Sequence, residues 1–325
     1  MDSSTGSTRL GDLELPPLAP HEVLVQSRVV GLCRSDIEML HGHLNQQLAI
    51  LRPIVPGHEW SGVVSAVGSA VTDFAPGDRV VGECVLSDDE WFGFTMHGAG
   101  AEQFVVPARL LHRIPAELNF SQAALIEPFT IAFAAIRRAG GITAGNTVVI
   151  LGAGMIGLAA TSIAVAMGAS VVTVDLDATR RDAASSLGAA KTAASSDEAS
   201  SWIRARGLNG ADLVVEASGH PIAITSTFEL ARFEGHIVNI GICAADTVTA
   251  PLHLIQAKNL TVHGTTGSAG LWPEAITFLQ EHSIDLSGVV TASYAFDEID
   301  EALRAVESGN IKVHLLAPVQ EGDHA

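Results

Sequence analysis

The chain has 325 residues, of which 47% are hydrophobic, more than one small core requires, so two domains are expected. Its formal net charge is -18, with 18 basic residues scattered along the chain, and this excludes a nucleic-acid-binding protein because phosphate binding needs clustered basic side chains. Three cysteines, Cys33, Cys84 and Cys243, imply no disulfide framework, and no apolar run has the length of a signal peptide or membrane span, which predicts a soluble cytoplasmic protein.

Short apolar segments separated by Gly, Asp and Pro occupy roughly the first 115 residues, a pattern typical of β-strands. The segments are HEVLVQSRVVGL, WSGVVSAVG, GDRVVGECVL and AEQFVVPARLLHRIP. This part of the chain is therefore predicted to be mostly β.

From Ser121 onward, longer helical stretches alternate with compact apolar strands. Helices are predicted over 121–139, 155–167, 179–187 and 221–232, near Trp272 and Pro273, and from Asp297 through EIDEALRAVESG. The predicted strands are NTVVILG, SVVTVDL, ADLVVEAS, HIVNIG, NLTVHGT and VVTASYAF. Strands alternating with helices predict an α/β fold with a doubly wound parallel sheet.

A glycine-rich turn, GAGMIG, follows the first strand of this series and precedes a helix. Gly152 permits the tight turn, Gly154 lets the backbone approach a pyrophosphate, and Gly157 lets helix and strand pack closely. The helix N-terminus supplies N–H donors and a positive dipole end. We therefore predict that this turn, including Met155 and Ile156, binds a dinucleotide, although packing alone can also produce such turns.

The next strand ends at Asp175, 18 residues after Gly157. An acidic residue at a spacing of roughly 20 accepts the ribose 2'-hydroxyl of NAD and repels the 2'-phosphate of NADP. Arg180 follows five residues later and can contact the ribose, accommodate a phosphate, or simply be a solvated helix residue. NAD is the predicted cofactor.

Before the dinucleotide turn, the chain carries Cys33 in GLCRSD and His58 with Glu59 in PGHEWSG. A cysteine such as Cys33, taken singly, is usually a small buried residue, and a histidine beside a glutamate, as His58 is beside Glu59, is usually an ordinary polar pair. The ordered set of motifs is more specific. GLCRSD at 31–36, PGHEWSG at 56–62, VGSAVTDFAPGDRV at 67–80, LIEPFTIAF at 125–133 and GAGMIG at 152–157 resemble zinc-containing medium-chain alcohol and polyol dehydrogenases over nearly the whole chain.

The resemblance implies two domains and a homodimer or homotetramer. Residues 1–128 and 266–325 are expected to form a mostly β, GroES-like catalytic domain, and 129–265 an NAD-binding Rossmann domain. Family members commonly pair through the nucleotide domain, where the strand NLTVHGT is a candidate edge or an ordinary core strand.

The resemblance also implies one catalytic zinc, with Cys33 and His58 as ligands. Glu59 and Glu127 compete for a further ligand position. Glu127 stands where alcohol dehydrogenases carry a second Cys, and sorbitol-type relatives have a Glu at that place, as this chain does. A catalytic zinc keeps one position open for the substrate oxygen, and thiolate and carboxylate ligands neutralise the dication while leaving it a Lewis acid.

Ser35 matches the hydroxyl that begins the family's proton relay, and Asp36 matches the carboxylate that orients the ligand His58. A turn serine and a capping aspartate are the alternatives. The lobe with four cysteines that holds a structural zinc in many members is absent, because Cys84 is the only thiol between Val80 and Gly98. No structural zinc is therefore expected, and Cys84 and Cys243 are expected to be buried small residues.

Within the family, PIVPGHEWSG, GFTMHGAGAEQFVVP and IEPFTIAFAAIRRAG look most like the aminocyclitol (2-deoxy-scyllo-inosamine dehydrogenase-like) members. This likeness implies oxidation of a secondary alcohol on an amine-bearing ring in aminoglycoside biosynthesis, to which the acidic charge is suited. The alternatives are a sorbitol- or threonine-type dehydrogenase of primary metabolism, a zinc-free quinone or enoyl reductase, and a non-catalytic nucleotide-binding protein.

Overall fold

The structure is a computed structural model that describes residues 1–2, 4–44, 49–87, 89–245, 247–268 and 270–318. The chain forms two compact units. The first unit consists of Met1–Glu127 with Asp285–Ala325, and the second of Pro128–Ile284.

The first unit begins as an antiparallel sheet with short helices. Its elements here are β1 (Glu22–Leu32), α1 (Arg34–Leu40), β2 (Glu59–Val67), β3 (Arg79–Gly82), β4 (Gln103–Pro107), β5 (Leu111–Arg113) and α2 (Phe120–Ala123). Side chains along most of β1 alternate between buried and half-buried, as expected of a strand with one covered face. The Val-rich segments are thus confirmed as strands.

The second unit is a parallel sheet with connecting helices. Its elements are α3 (Ile126–Arg138), which begins at the end of the first unit, β6 (Thr147–Leu151), α4 (Met155–Ala166), β7 (Ser170–Val174), α5 (Ala178–Ser186), β8 (Lys191–Ala193), α6 (Ser196–Arg204), β9 (Ala211–Glu216), α7 (Pro221–Leu230), β10 (Ala231–Asn239), α8 (His253–Ala257), β11 (Thr261–Gly264) and α9 (Trp272–Glu281). The strand order is β11-β10-β9-β6-β7-β8, which reverses at β6. All five residues of β6 are buried, because both faces of the sheet are covered. The predicted doubly wound sheet is confirmed.

The chain then completes the first unit with β12 (Val290–Ala295), α10 (Ile299–Glu307) and β13 (Lys312–Leu316). The main strand order of this sheet is β12-β13-β1-β2-β3-β5, and β4 also pairs with β1. Gly31 of β1 therefore faces Glu59 of β2 on one side and His314 of β13 on the other. Segments far apart in sequence meet at this end of β1.

Two predicted features differ from the structure. The helix expected over 121–139 is divided into α2 and α3, because Pro128 is accommodated in the first turn of a helix but not in its interior. The second unit continues to Ile284 rather than ending at 265, since α9 packs on α3. There the Phe133 and Phe278 rings lie 5.3 Å apart, and Arg137 pairs with Glu274 at 3.1 Å.

The start of β2 is anchored in the core of the first unit by Trp60, which is 2% exposed. Its ring meets the Phe104 ring edge-on, with the centroids 4.8 Å apart, and lies 6.3 Å from that of Phe92. Because Trp60 directly follows His58 and Glu59, this packing fixes the backbone that carries them. Over the described residues, no helix has both the length and the apolar character needed to span a membrane.

Candidate active site

Cys33 lies where β1 ends and α1 begins, as the N-cap residue of the helix. Its backbone N–H donates to Oδ2 of Asp36 at 2.8 Å, so the Asp36 carboxylate closes the first turn. Ser35 and Asp36 are both buried on that turn. The segment GLCRSD thus forms a strand-to-helix corner with the Cys33 thiol at its apex.

His58 and Glu59 lie beside this corner because β2 starts next to the end of β1. The ligand atoms of Cys33, His58 and Glu59 all lie within 4.8 Å of one another. His58 and Glu59 are 5% and 1% exposed, and the His58 ring packs on Phe94 with the centroids 4.7 Å apart. Thiol, imidazole and carboxylate are a donor set that suits zinc, so these three residues fit a metal ion.

Asp36 also approaches the imidazole of His58. Its Oδ1 lies 3.8 Å from Nδ1 of His58, and neither atom has a hydrogen-bond partner within the described ranges. Burial raises the pKa of Asp36, and the charge on His58 acts in the opposite direction. This placement supports the expectation that Asp36 orients His58 through Nδ1.

Glu127, in the first turn of α3, is buried in the same region but is not one of the three converging residues. Burial raises its pKa to about 7, and the charge on His58 opposes the shift. The Cys84 thiol is directed at Oε1 of Glu127 over 3.7 Å. Cys84 is buried, as predicted, but it contacts a candidate metal ligand.

Lys312, the first residue of β13, is a functional candidate that the sequence analysis missed. Its ammonium donates to Oε2 of Glu59 at 2.5 Å and to the carbonyl oxygen of Leu32 at 3.1 Å. Burial opposes its charge, but Glu59 and Cys33 outweigh burial and raise its pKa. Burial likewise opposes ionisation of Glu59, and Lys312 and His58 reverse that effect and lower its pKa. The only available signal was one lysine within the apolar segment IKVHLLAPV.

The Cys33 thiol responds to the same charges. Burial, followed by the negative charge of Glu59, raises its pKa to about 12, and Lys312 acts in the opposite direction. A thiol must lose its proton to ligate zinc, and a bound dication supplies the positive charge that makes this favourable. The arrangement is therefore well matched to a cation.

His314 follows two residues after Lys312 on the same face of β13. Its Nδ1 is 3.1 Å from the Ser121 hydroxyl. Burial, together with the positive charge of Lys312, lowers the pKa of His314 to about 4. This imidazole is therefore neutral at physiological pH and adds no charge to the region.

In the second unit, the glycine-rich turn has the predicted form. Gly152 has φ +97°, which favours glycine, and a Cβ on Gly157 would lie 1.8 Å from the carbonyl oxygen of Gly152. Gly154 caps α4, whose first turn carries Met155 and Ile156. The backbone conformation at Gly152 and the close approach at Gly157 both require glycine.

Asp175 lies directly after β7 and contacts this turn. Its Oδ2 accepts from Ala153 N–H at 2.7 Å and its Oδ1 from Asp177 N–H at 2.9 Å. Arg180 lies in the first turn of α5, with its backbone N–H on Asp177. The neighbouring Arg181, not singled out by the sequence analysis, donates to the carbonyl oxygens of Asp175 and Leu176, each at 2.8 Å. The turn and the acidic residue thus form one connected structure.

Comparison with known proteins shows two matching family models. Residues 19–116 match the alcohol dehydrogenase GroES-like domain, and residues 156–281 match the zinc-binding dehydrogenase model. Sorbitol dehydrogenase of Homo sapiens is 31% identical over 94% of this chain and 91% of its own length. The chain belongs to the zinc-dependent medium-chain alcohol and polyol dehydrogenases.

Solved structures similar to this chain belong to the same class of dehydrogenases. Galactitol-1-phosphate dehydrogenase from Escherichia coli is 28% identical, with a TM-score of 0.84 and coverage of 96% of this chain and 97% of its own. A zinc-binding dehydrogenase from Sinorhizobium meliloti 1021 bound to NADP is 26% identical, with a TM-score of 0.84 and 94% coverage of both chains. The protein is accordingly an oxidoreductase, an NAD(P)-dependent zinc dehydrogenase of the alcohol and polyol class.

Proposed function

We propose that this enzyme oxidises a secondary alcohol of a polyhydroxylated substrate to a ketone, with hydride transfer to NAD, at a zinc held by Cys33, His58 and Glu59. The observation that carries the proposal is the convergence of these three ligand atoms within 4.8 Å, with Cys33 half-buried and His58 and Glu59 buried. A zinc-free reductase has no use for such a donor set, so this alternative is disfavoured.

The residues around that corner have separate roles in the proposed reaction. When bound, zinc supplies a Lewis acid that makes an alcohol easier to deprotonate. Asp36 holds the His58 ring, and the buried Ser35 hydroxyl is the first carrier of the released proton. Glu127 is a further buried carboxylate beside the site, and we propose that it contacts the metal directly or through water.

The proposed preference for NAD rests on Asp175. Each of its carboxylate oxygens accepts one backbone N–H, which leaves lone pairs for ribose hydroxyls. A 2'-phosphate at the same place meets a like charge, and this repulsion disfavours NADP. Arg180, on the adjacent turn of α5, is proposed to contact the ribose.

Two classes of substrate are candidates, a linear polyol and an amine-bearing ring. The named relatives, sorbitol and galactitol-1-phosphate dehydrogenases, favour a linear polyol. The net charge of -18 favours a cationic substrate, which supports an amine-bearing ring such as an aminocyclitol or an aminoglycoside sugar.

We propose a homo-oligomer formed through the second unit. The segment NLTVHGT contains β11, which lies at the edge of the six-stranded sheet. Val262 in this strand is 38% exposed. An unpaired edge strand offers N–H and C=O groups to a second copy. Mass measurement in solution tests the oligomeric state, and a charged substitution, Val262→Glu, which should lower the mass, tests whether β11 forms the interface.

A substrate screen tests the proposed function. Purified enzyme is incubated with NAD and a panel of linear polyols, aminocyclitols and aminoglycosides, and NADH formation is followed by absorbance. We expect turnover that disappears after metal removal and returns with zinc. Turnover by the metal-free enzyme would contradict the zinc mechanism, and an equal rate with NADP would contradict the role given to Asp175.

A further inference from the structure

Lys312 is the one lysine that is fully buried among the described residues, and it contacts the candidate zinc corner. Its side chain is 3% exposed, and that of its partner Glu59 is 2% exposed. A buried ammonium is costly unless its charge is paired, so its retention here calls for a partner. That partner is Glu59.

The backbone around this pair is shaped to admit it. Gly31, which faces Glu59 across β1 and β2, has no side chain, and a Cβ there would lie 2.6 Å from Oε2 of Glu59. The glycine leaves room for the Glu59 carboxylate to lie against β1. Lys312 then reaches that carboxylate from β13, on the other side of β1, and is held by the carbonyl oxygen of Leu32.

Lys312 binds one of the two oxygens of the Glu59 carboxylate. Oε2 accepts from Lys312 at 2.5 Å. The carboxylate as a whole is near Cys33 and His58, and a charge-assisted bond of this kind holds its acceptor strongly in one orientation. The positive charge of Lys312 also offsets the carboxylate, which lowers the attraction between Glu59 and a cation.

We propose that Lys312 is a positioning residue that holds Oε2 of Glu59 away from the metal and limits that carboxylate to a weak, single-oxygen approach. This inference rests on the proposed zinc site and deepens it. By restraining Glu59, Lys312 keeps a position at the metal open for the substrate oxygen. Loss of Lys312 releases the carboxylate and gives a tighter but less open metal site.

The test replaces Lys312 with Gln, which keeps a hydrogen-bond donor but removes the charge. We expect the Zn²⁺ dissociation constant, measured by chelator competition, to fall by at least about tenfold. In the Co²⁺-loaded enzyme, an added carboxylate oxygen should weaken the visible absorption bands. In a Glu59→Gln background, the same change at Lys312 should leave the Zn²⁺ affinity within about twofold, because the released group is gone.

Two further variants make the test specific. Lys191→Gln, a half-buried lysine of β8 in the second unit, is the matched control and should leave Zn²⁺ affinity unchanged. Lys312→Arg keeps the charge, so its Zn²⁺ affinity and Co²⁺ spectrum should resemble those of the wild type. This variant still tests the idea if Lys312→Gln does not fold, because a Co²⁺ spectrum altered despite the retained charge contradicts it.

The possible failures are distinguishable. If wild-type protein binds no Zn²⁺, both the proposed function and the role of Lys312 are overturned. If wild-type protein binds Zn²⁺ and is active, but Lys312→Gln binds Zn²⁺ equally or more weakly, only the role of Lys312 is overturned. Tighter binding that persists in the Glu59→Gln background also overturns it, since Glu59 is then not the group restrained.

Discussion

The metal corner and the dinucleotide turn are built in opposite ways. The residues of the dinucleotide turn, from Gly152 to Asp175, lie within one segment made of two consecutive strands, β6 and β7, and the helix α4 that connects them. The metal corner combines Cys33, Glu59 and Lys312, and the ion pair that completes it joins residues 253 positions apart. A local site depends on turn chemistry, whereas a dispersed site depends on the pairing of three strands.

The two sites also differ in the groups that stabilise their charged side chains. In the dinucleotide turn, Asp175 is satisfied by nearby backbone N–H groups and remains partly exposed for a ligand. In the metal corner, buried side chains compensate one another, and the pKa of each depends on its neighbours. Substitutions should therefore have separable effects at the turn and coupled effects at the corner.

The largest expected effect comes from removing a metal ligand. Cys33→Ala or His58→Ala should lower activity by at least about 10³-fold, because the Lewis acid is lost. NAD binding, measured by calorimetry, should stay within about twofold, since the turn lies in the other unit. Cys243→Ala, a half-buried thiol outside the corner, is the matched control. Retained activity in either ligand variant contradicts the assignment of the metal site.

Asp175→Ser tests the local site. Losing a charged acceptor for ribose hydroxyls should reduce the preference for NAD over NADP, as a ratio of kcat/KM values, by about 10- to 100-fold. Asp182→Ser, an exposed residue of α5, should leave the ratio unchanged. An unaltered ratio in Asp175→Ser shows that another group reads the ribose.

Arg181→Ala tests whether hydrogen bonds from the Arg181 side chain stabilise the segment that carries Asp175. Its guanidinium donates to the carbonyl oxygens of Asp175 and Leu176, so its loss should loosen the segment and weaken NAD binding by about two- to tenfold. Zinc content should not change. A drop in zinc content would contradict the independence of the two sites.

Glu127→Gln gives the smallest effect, seen as the pH dependence of stability in metal-free protein. Because burial raises the folded-state pKa of Glu127 from 4.5 to about 7, the folded state favours the neutral carboxyl. Its contribution is present below pH 4.5 and is lost as pH rises through about 7. The Tm of the wild type should therefore decline more steeply over this interval than that of Glu127→Gln. Glu14→Gln, on an exposed side chain, should retain the wild-type slope.

The sequence was most informative where structure is local. The glycine spacing and Asp175 predicted a turn that the structure shows, and the β-rich beginning and the α/β series were confirmed. Lys312 was missed because its role depends on β13 pairing with β1, and β13 itself was not predicted. Helix α1 was also missed: a capping role was considered for Asp36, but Cys33, the N-cap residue itself, was considered only as a metal ligand or a small buried residue. Between Glu59 and Glu127, sequence left the choice open, and the structure places only Glu59 in the converging group.

The split construction of the first unit also orders events during synthesis. The second unit is one continuous segment, Pro128–Ile284, and emerges from the ribosome before β13 has been made. Until then β1 lacks a neighbour on the β13 side, and Glu59 lacks the ammonium of Lys312. Completion of the metal corner must therefore wait until β13 has been synthesised. Nascent chains halted before Lys312 should expose an unpaired strand edge, the form most open to chaperone capture and aggregation.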